Sequence, residues 1–138
     1  MIKVIIGNKG HGKTKRLIDF VNSCVENSDG NVVCIENEPK LTYDVSSKAR
    51  LLETDTYNIK GHKAFYGFIA GICAGNYDVT DILVDATFKI VGREYGELIQ
   101  FFDMLSNLGE SSDVNFYFTL SCDKEDLPVE IFDYCEEI

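Results

Sequence analysis

Short apolar runs that stop at turn residues alternate along this chain with longer stretches in which apolar residues recur every three or four positions. The first pattern predicts buried strands and the second predicts amphipathic helices. Ile2 to Ile6 is rich in β-branched residues and stops at Gly7, as a strand covered on both faces would. Lys13 to Asn27 carries Leu17, Ile18, Val21, Cys24 and Val25 at helical spacing, and Ser28-Asp29-Gly30 ends it. Asn31 to Glu36 predicts a second strand, closed off by Pro39, and Leu51 to Tyr57 predicts a further strand with polar interruptions. His62 to Gly75 places Phe65, Phe68, Ile69, Ile72 and Cys73 on one helical face, against the poor helix propensity of its glycines. Asp81 to Ala86 predicts a buried strand ending in an acid, Glu94 to Leu108 a helix, and Val114 to Leu120 a strand. Asp126 as an N-cap, with Pro128 in the first turn, predicts a short helix or terminal strand through Ile131, Phe132 and Tyr134.

Strand and helix alternate, so the fold class is α/β, a mainly parallel central sheet with helices packed on it. The 138 residues suit a single domain over 1–138, and no repeat or linker divides them. The net charge of −10 disfavours broad contact with nucleic-acid backbones or anionic membranes. That charge is uneven. Lys3, Lys9, Lys13, Lys15 and Arg16 crowd the start, whereas Lys124 is the only basic residue from Phe101 onward. An anionic ligand therefore belongs at the basic end. Cys24, Cys34, Cys73, Cys122 and Cys135 are odd in number and widely spaced, which reads as small core residues in a reducing compartment rather than a zinc site. Met1 to Gly7 is too short for a signal peptide or membrane span, so the expected location is cytoplasmic.

The basic end contains Gly7-Asn8-Lys9-Gly10-His11-Gly12-Lys13-Thr14, a full G-x-x-x-x-G-K-T phosphate loop (Walker A) between a predicted strand and a predicted helix. Its glycines let successive backbone N–H groups turn inward, and the helix that follows presents its positive end. Gly7 to Thr14 is thus the expected nucleotide-binding segment. Lys13 serves as the mobile charge on the β and γ phosphates, and Thr14 offers its hydroxyl to Mg2+. Asp85 closes the apolar strand Ile82-Leu83-Val84 and is the expected second magnesium contact, the Walker B role.

An acid that would polarise the attacking water commonly follows such an aspartate, and Ala86 stands there instead. Either hydrolysis is slow or the base comes from elsewhere. Resemblance to RecA-like ATPases, in which a catalytic glutamate can arise at the end of this strand, implies Glu36 as the first candidate base and Glu38 as the second; the alternative is that both are ordinary loop acids. Thr119 and Ser121 lie where a side chain could touch the γ phosphate or cap a turn. Arg50 and Arg93 are candidate γ-phosphate contacts or plain surface arginines.

These residues resemble the RecA-like branch of P-loop NTPases. That resemblance implies a three-layer P-loop NTPase fold with Val114–Leu120 between the phosphate-loop strand and the Asp85 strand. The implied strand order is 5-1-4-3-2, with the second strand at one edge. Gly30-Asn31-Val32-Val33, Tyr57-Asn58-Ile59-Lys60, Phe65-Tyr66-Gly67-Phe68-Ile69 and Asp126-Leu127-Pro128 resemble a family of small bacterial ATP-binding proteins, sometimes labelled twitching-motility ATPases. The resemblance bears on fold and nucleotide binding and supplies no pathway.

The expected function is magnesium-dependent binding of ATP, with slow hydrolysis serving a switch or motor. One alternative is a regulatory module that binds nucleotide without turnover. Another is a small kinase, which the lack of an arginine-rich lid disfavours. ATP is the default nucleotide because no guanine-type NKxD motif follows a strand. A nucleic-acid motor would need an oligomer that builds a basic channel from Lys60, His62 and Lys63. A homo-oligomer or protein partner is left open.

Overall fold

Strand β1 (Ile2–Ile6) and helix α1 (Lys13–Asn27) begin the chain, and the computed structural model describes residues 1–10 and 12–138. His11, expected in the ligand loop, lies outside the described residues. Strands β2 (Asn31–Glu36), β3 (Arg50–Glu53), β4 (Val79–Val84), β5 (Asn115–Leu120) and β6 (Glu136–Glu137) complete one six-stranded sheet in which every pairing is parallel.

Alternation along the strands explains why both faces are covered. On β2, Val33 and Ile35 join one apolar cluster, while Val32 and Cys34 join another. The smaller cluster packs under α1 through Leu17 and Val21, with Leu41, Val45 and Ala49 from the segment between β2 and β3. The larger one packs under helices α2 (His62–Gly75), α3 (Thr87–Val91) and α4 (Tyr95–Ser112). Aromatic rings dominate it: Phe65 stacks on Phe101 at 5.4 Å, and Phe102 lies 5.2 Å from Phe118 of β5. Each fully buried side chain of this size contributes about 1.5–3 kcal/mol relative to exposure. The result is three layers, helix on sheet on helix.

The sheet order is β3-β2-β4-β5-β1-β6. β5 lies between β1 and β4, but the five-strand order with the second strand at an edge is not what forms. Arg50–Glu53 pairs along Val33–Glu36 and takes the edge, so β2 is interior. The strand expected over Leu51–Tyr57 stops at Glu53: the Thr54 N–H makes a last bond to the Glu36 carbonyl, and Asp55–Tyr57 then coils into a 3-10 turn. The predicted strand Asp81–Ala86 likewise ends at Val84, and α3 follows it unannounced by any helical period. Glu94 precedes the last long helix as its cap, its carboxylate accepting from the Gly96 and Glu97 N–H groups at 2.9 Å. That helix continues past Leu108 to Ser112. Asp126 closes a 3-10 turn rather than capping a helix, and Pro128 leads into a second such turn, Val129–Asp133. No helix among the described residues is long and apolar enough to cross a membrane.

Candidate functional site

A parallel sheet brings the carboxyl ends of its strands to one edge. Here that edge carries the segment after β1, Glu36 at the end of β2, Asp85 after β4, and Thr119 and Ser121 at the end of β5. All of these border one cavity of about 790 Å³.

The segment after β1 is bound to the sheet by Gly7 N–H, which donates to Leu120 O at 3.2 Å. Gly10 and Gly12 have φ of 89° and 75°, a left-handed backbone that only glycine adopts without strain. Gly12 immediately precedes α1, which has no side-chain cap and no acid in its first turn. Lys13, Lys15 and Arg16 occupy that turn instead, at the positive end of the helix, where each cation costs about 0.3–1 kcal/mol. Lys13 is only 8% exposed, and its Nζ donates to Asn8 O at 3.0 Å. Burial lowers the pKa of Lys13, against the opposing pull of Asp85. The Asn8 side chain also bonds Asp123, which ties this segment to the chain after β5.

Asp85 is the hub of the site. Its backbone N–H donates to Ile35 O at 2.9 Å, fixing it against β2. Thr14 Oγ1 lies 3.2 and 3.3 Å from its two carboxylate oxygens, and Thr119 Oγ1 donates to Oδ1 at 2.8 Å. The Ala86 N–H donates back to Thr119 Oγ1 at 2.8 Å. Lys13, Thr14, Asp85 and Thr119, widely separated in sequence, are thus brought together.

Glu36 also borders the cavity, 3% exposed, but its carboxylate is engaged. It accepts the Lys40 N–H at 2.8 Å and the Leu41 N–H at 3.4 Å, which secures the turn after β2. Burial raises its pKa, partly offset by those two N–H groups. Glu38 is exposed, with Lys40 at 3.8 Å.

The two candidate arginines separate. Arg93 borders the cavity, and Arg50 sits on the edge strand away from it. Lys60 and Lys63 do not border it, and His62 is buried between α2 and α4, bonded to Gln100 at 2.8 Å and Glu97 at 3.1 Å. Phe88, Lys89, Tyr95 and Cys122 line the cavity without having been singled out from sequence. The first two sit on a five-residue helix, too short to show a period. Cys122 is buried, and that burial pushes its thiol pKa up against the opposing pull of Arg93 and Lys13.

The cavity inverts the charge of the chain. It is lined by five basic residues (Lys9, Lys13, Lys40, Lys89, Arg93) and four acids (Glu36, Glu38, Asp85, Asp126), while the whole chain has 13 basic and 23 acidic residues. No protein-family model matches the chain, and no curated protein matches it.

Proposed function

We propose that this cavity binds a magnesium–nucleoside triphosphate, ATP by default, and that the chain hydrolyses it slowly in a switch or motor role. The observation that carries this reading is the start of α1. A helix end with no side-chain cap among the described residues, no acid in its first turn and three cations there, one of them the buried Lys13, is an arrangement that is unfavourable alone and favourable around an anion. The left-handed Gly10 and Gly12 leave their own backbone open to close approach: among the described residues a Cβ on either would meet nothing within 4 Å. A phosphate chain has the charge and the oxygen acceptors this environment favours.

The donor set suits magnesium. Thr14 hydroxyl and Asp85 carboxylate are hard oxygen ligands in contact with one another, next to Lys13. Magnesium held there would neutralise charge on the phosphate chain. Thr119 orients the Asp85 carboxylate, and Lys13 offers its ammonium to the β and γ phosphates. Glu36 is the candidate base for water, and its raised pKa increases its hold on a proton.

A second reading, nucleotide binding without turnover, draws on one specific feature. Both Glu36 oxygens accept backbone N–H groups, and Ala86 supplies no carboxylate after Asp85.

Calorimetric titration of ATP, with magnesium and then with EDTA, into wild type and Lys13→Ala tests the proposal. Magnesium-dependent binding that the substitution abolishes supports it; a folded wild type that takes up no nucleotide sinks it. Single-turnover hydrolysis by wild type and Glu36→Gln then separates slow catalysis from pure binding.

A further inference from the structure

We propose that Arg93 reads the terminal phosphate, so that this side chain helps the cavity tell a nucleoside triphosphate from a diphosphate. The inference rests on the nucleotide-binding reading above and adds a residue that bears on its selectivity.

Arg93 reaches the cavity from the side opposite α1. It lies between α3 and α4, which pack on one face of the sheet, whereas Lys13 opens the helix on the other. Its Nη1 donates to Ser121 O at 3.1 Å, and its guanidinium carbon lies 4.9 Å from the centre of the Phe88 ring. Ser121 is two residues beyond Thr119, which holds Asp85. The arginine head is therefore fixed at the end of β5, on the wall next to the magnesium carboxylate.

A guanidinium carries five N–H donors, and the carbonyl takes one direction of that fork. Among the described residues Arg93 forms no ion pair, in a chain with 23 acids. Lys40, by contrast, has Glu38 beside it. A flat cation stacked on one aromatic ring, held by one carbonyl and unneutralised by any carboxylate, is ready to grip an oxyanion at little cost in side-chain entropy. Arg93 is also the one arginine lining the cavity among the described residues. Lys13, Asp85 and Arg93 line the same cavity, so a terminal phosphate held by Lys13 from one side would be met by Arg93 from the other.

The experiment compares the affinities of ATP and ADP, each with magnesium, in wild type, Arg93→Gln, Arg93→Lys and Arg50→Gln. Thermal unfolding of each variant confirms that it folds. A charged hydrogen-bonding contact of this kind corresponds to about a 10- to 100-fold loss of ATP affinity in Arg93→Gln. ADP affinity should stay within about twofold, Arg93→Lys should fall between, and Arg50→Gln should match wild type. Equal losses for both nucleotides would reduce Arg93 to a brace for the Ser121 and Phe88 contacts and overturn the proposal. An unchanged ATP-to-ADP ratio overturns it as well, while leaving nucleotide binding intact. A wild type that binds neither nucleotide removes both this inference and the reading beneath it.

Discussion

Thr119 donates its hydroxyl hydrogen to Asp85 at 2.8 Å and accepts the Ala86 N–H on the same oxygen at 2.8 Å. One buried hydroxyl therefore fixes both the carboxylate proposed for magnesium and the backbone that turns away from it. Thr119→Val keeps the shape and removes both bonds, leaving the half-buried Ala86 N–H without this partner and the Asp85 carboxylate with one donor fewer. It should destabilise the fold by about 1–3 kcal/mol in urea denaturation. Thr119→Ser, which keeps the hydroxyl, should recover most of that loss. A valine variant as stable as wild type would mean that the hydroxyl is dispensable.

The next two residues carry local strain. Ala86 has φ of 53°, and Thr87 is wholly buried with its Oγ1 lacking a hydrogen-bond partner among the described residues. A left-handed alanine costs about 1–2 kcal/mol, and a buried unsatisfied hydroxyl about 1–3 kcal/mol. Thr87→Val should thus stabilise the protein by about 1 kcal/mol, an uncommon sign for a substitution at a fully buried site. Ala86→Gly should relieve strain but give back part of the gain through the freer unfolded chain. Denaturation midpoints check both, and a destabilised Thr87→Val would show that the hydroxyl finds a partner.

Gly30 matters for space rather than for dihedral freedom. A Cβ there would lie 2.1 Å from Asp78 O and 2.6 Å from Thr80 Cγ2, where the turn after α1 crosses the start of β4. The Asn31 N–H donates to that same Asp78 carbonyl. Backbone on one side cannot yield as a flexible side chain would, so Gly30→Ala should cost about 1–3 kcal/mol. Thermal unfolding would settle it, since a neutral result requires the Asp78 turn to move freely.

What the sequence makes legible here follows from how local each signal is. The Gly7–Thr14 spacing, the strand before it and the helix after it are neighbours in sequence. Ile82-Leu83-Val84-Asp85 announces an acid at a strand end. A parallel sheet must then bring Thr14 and Asp85 to the same edge, and they lie in contact. The outer strand is a tertiary result. The local pattern predicts a strand over Leu51–Tyr57, but its place at the edge beside β2, as Arg50–Glu53, rests on pairing that this pattern does not carry. α3 is one turn and a half, below any period, and the two hydrogen bonds of the Thr119 hydroxyl join segments far apart in sequence. Glu36 was visible as an acid at a strand end, but its two backbone donors appear only once the following turn folds back over it.

Those donors set up a pH dependence. Burial raises the Glu36 pKa and outweighs the two N–H groups that lower it. A carboxyl group whose folded pKa lies above its unfolded value binds more protons when folded, so its contribution to stability is fully present below the unfolded value. It is lost as pH rises through the window up to the raised folded value. Glu36→Gln carries no such titration. The stability of the Gln variant relative to wild type should therefore improve as pH rises through that window and level off above it. Chemical denaturation of both proteins over a pH series gives the difference directly. A flat difference would leave Glu36 unperturbed. A growing wild-type advantage with pH would mean that the Lys40 and Leu41 N–H groups outweigh burial. Glu36 would then be held as a fixed anion, poorly suited to take a proton from water.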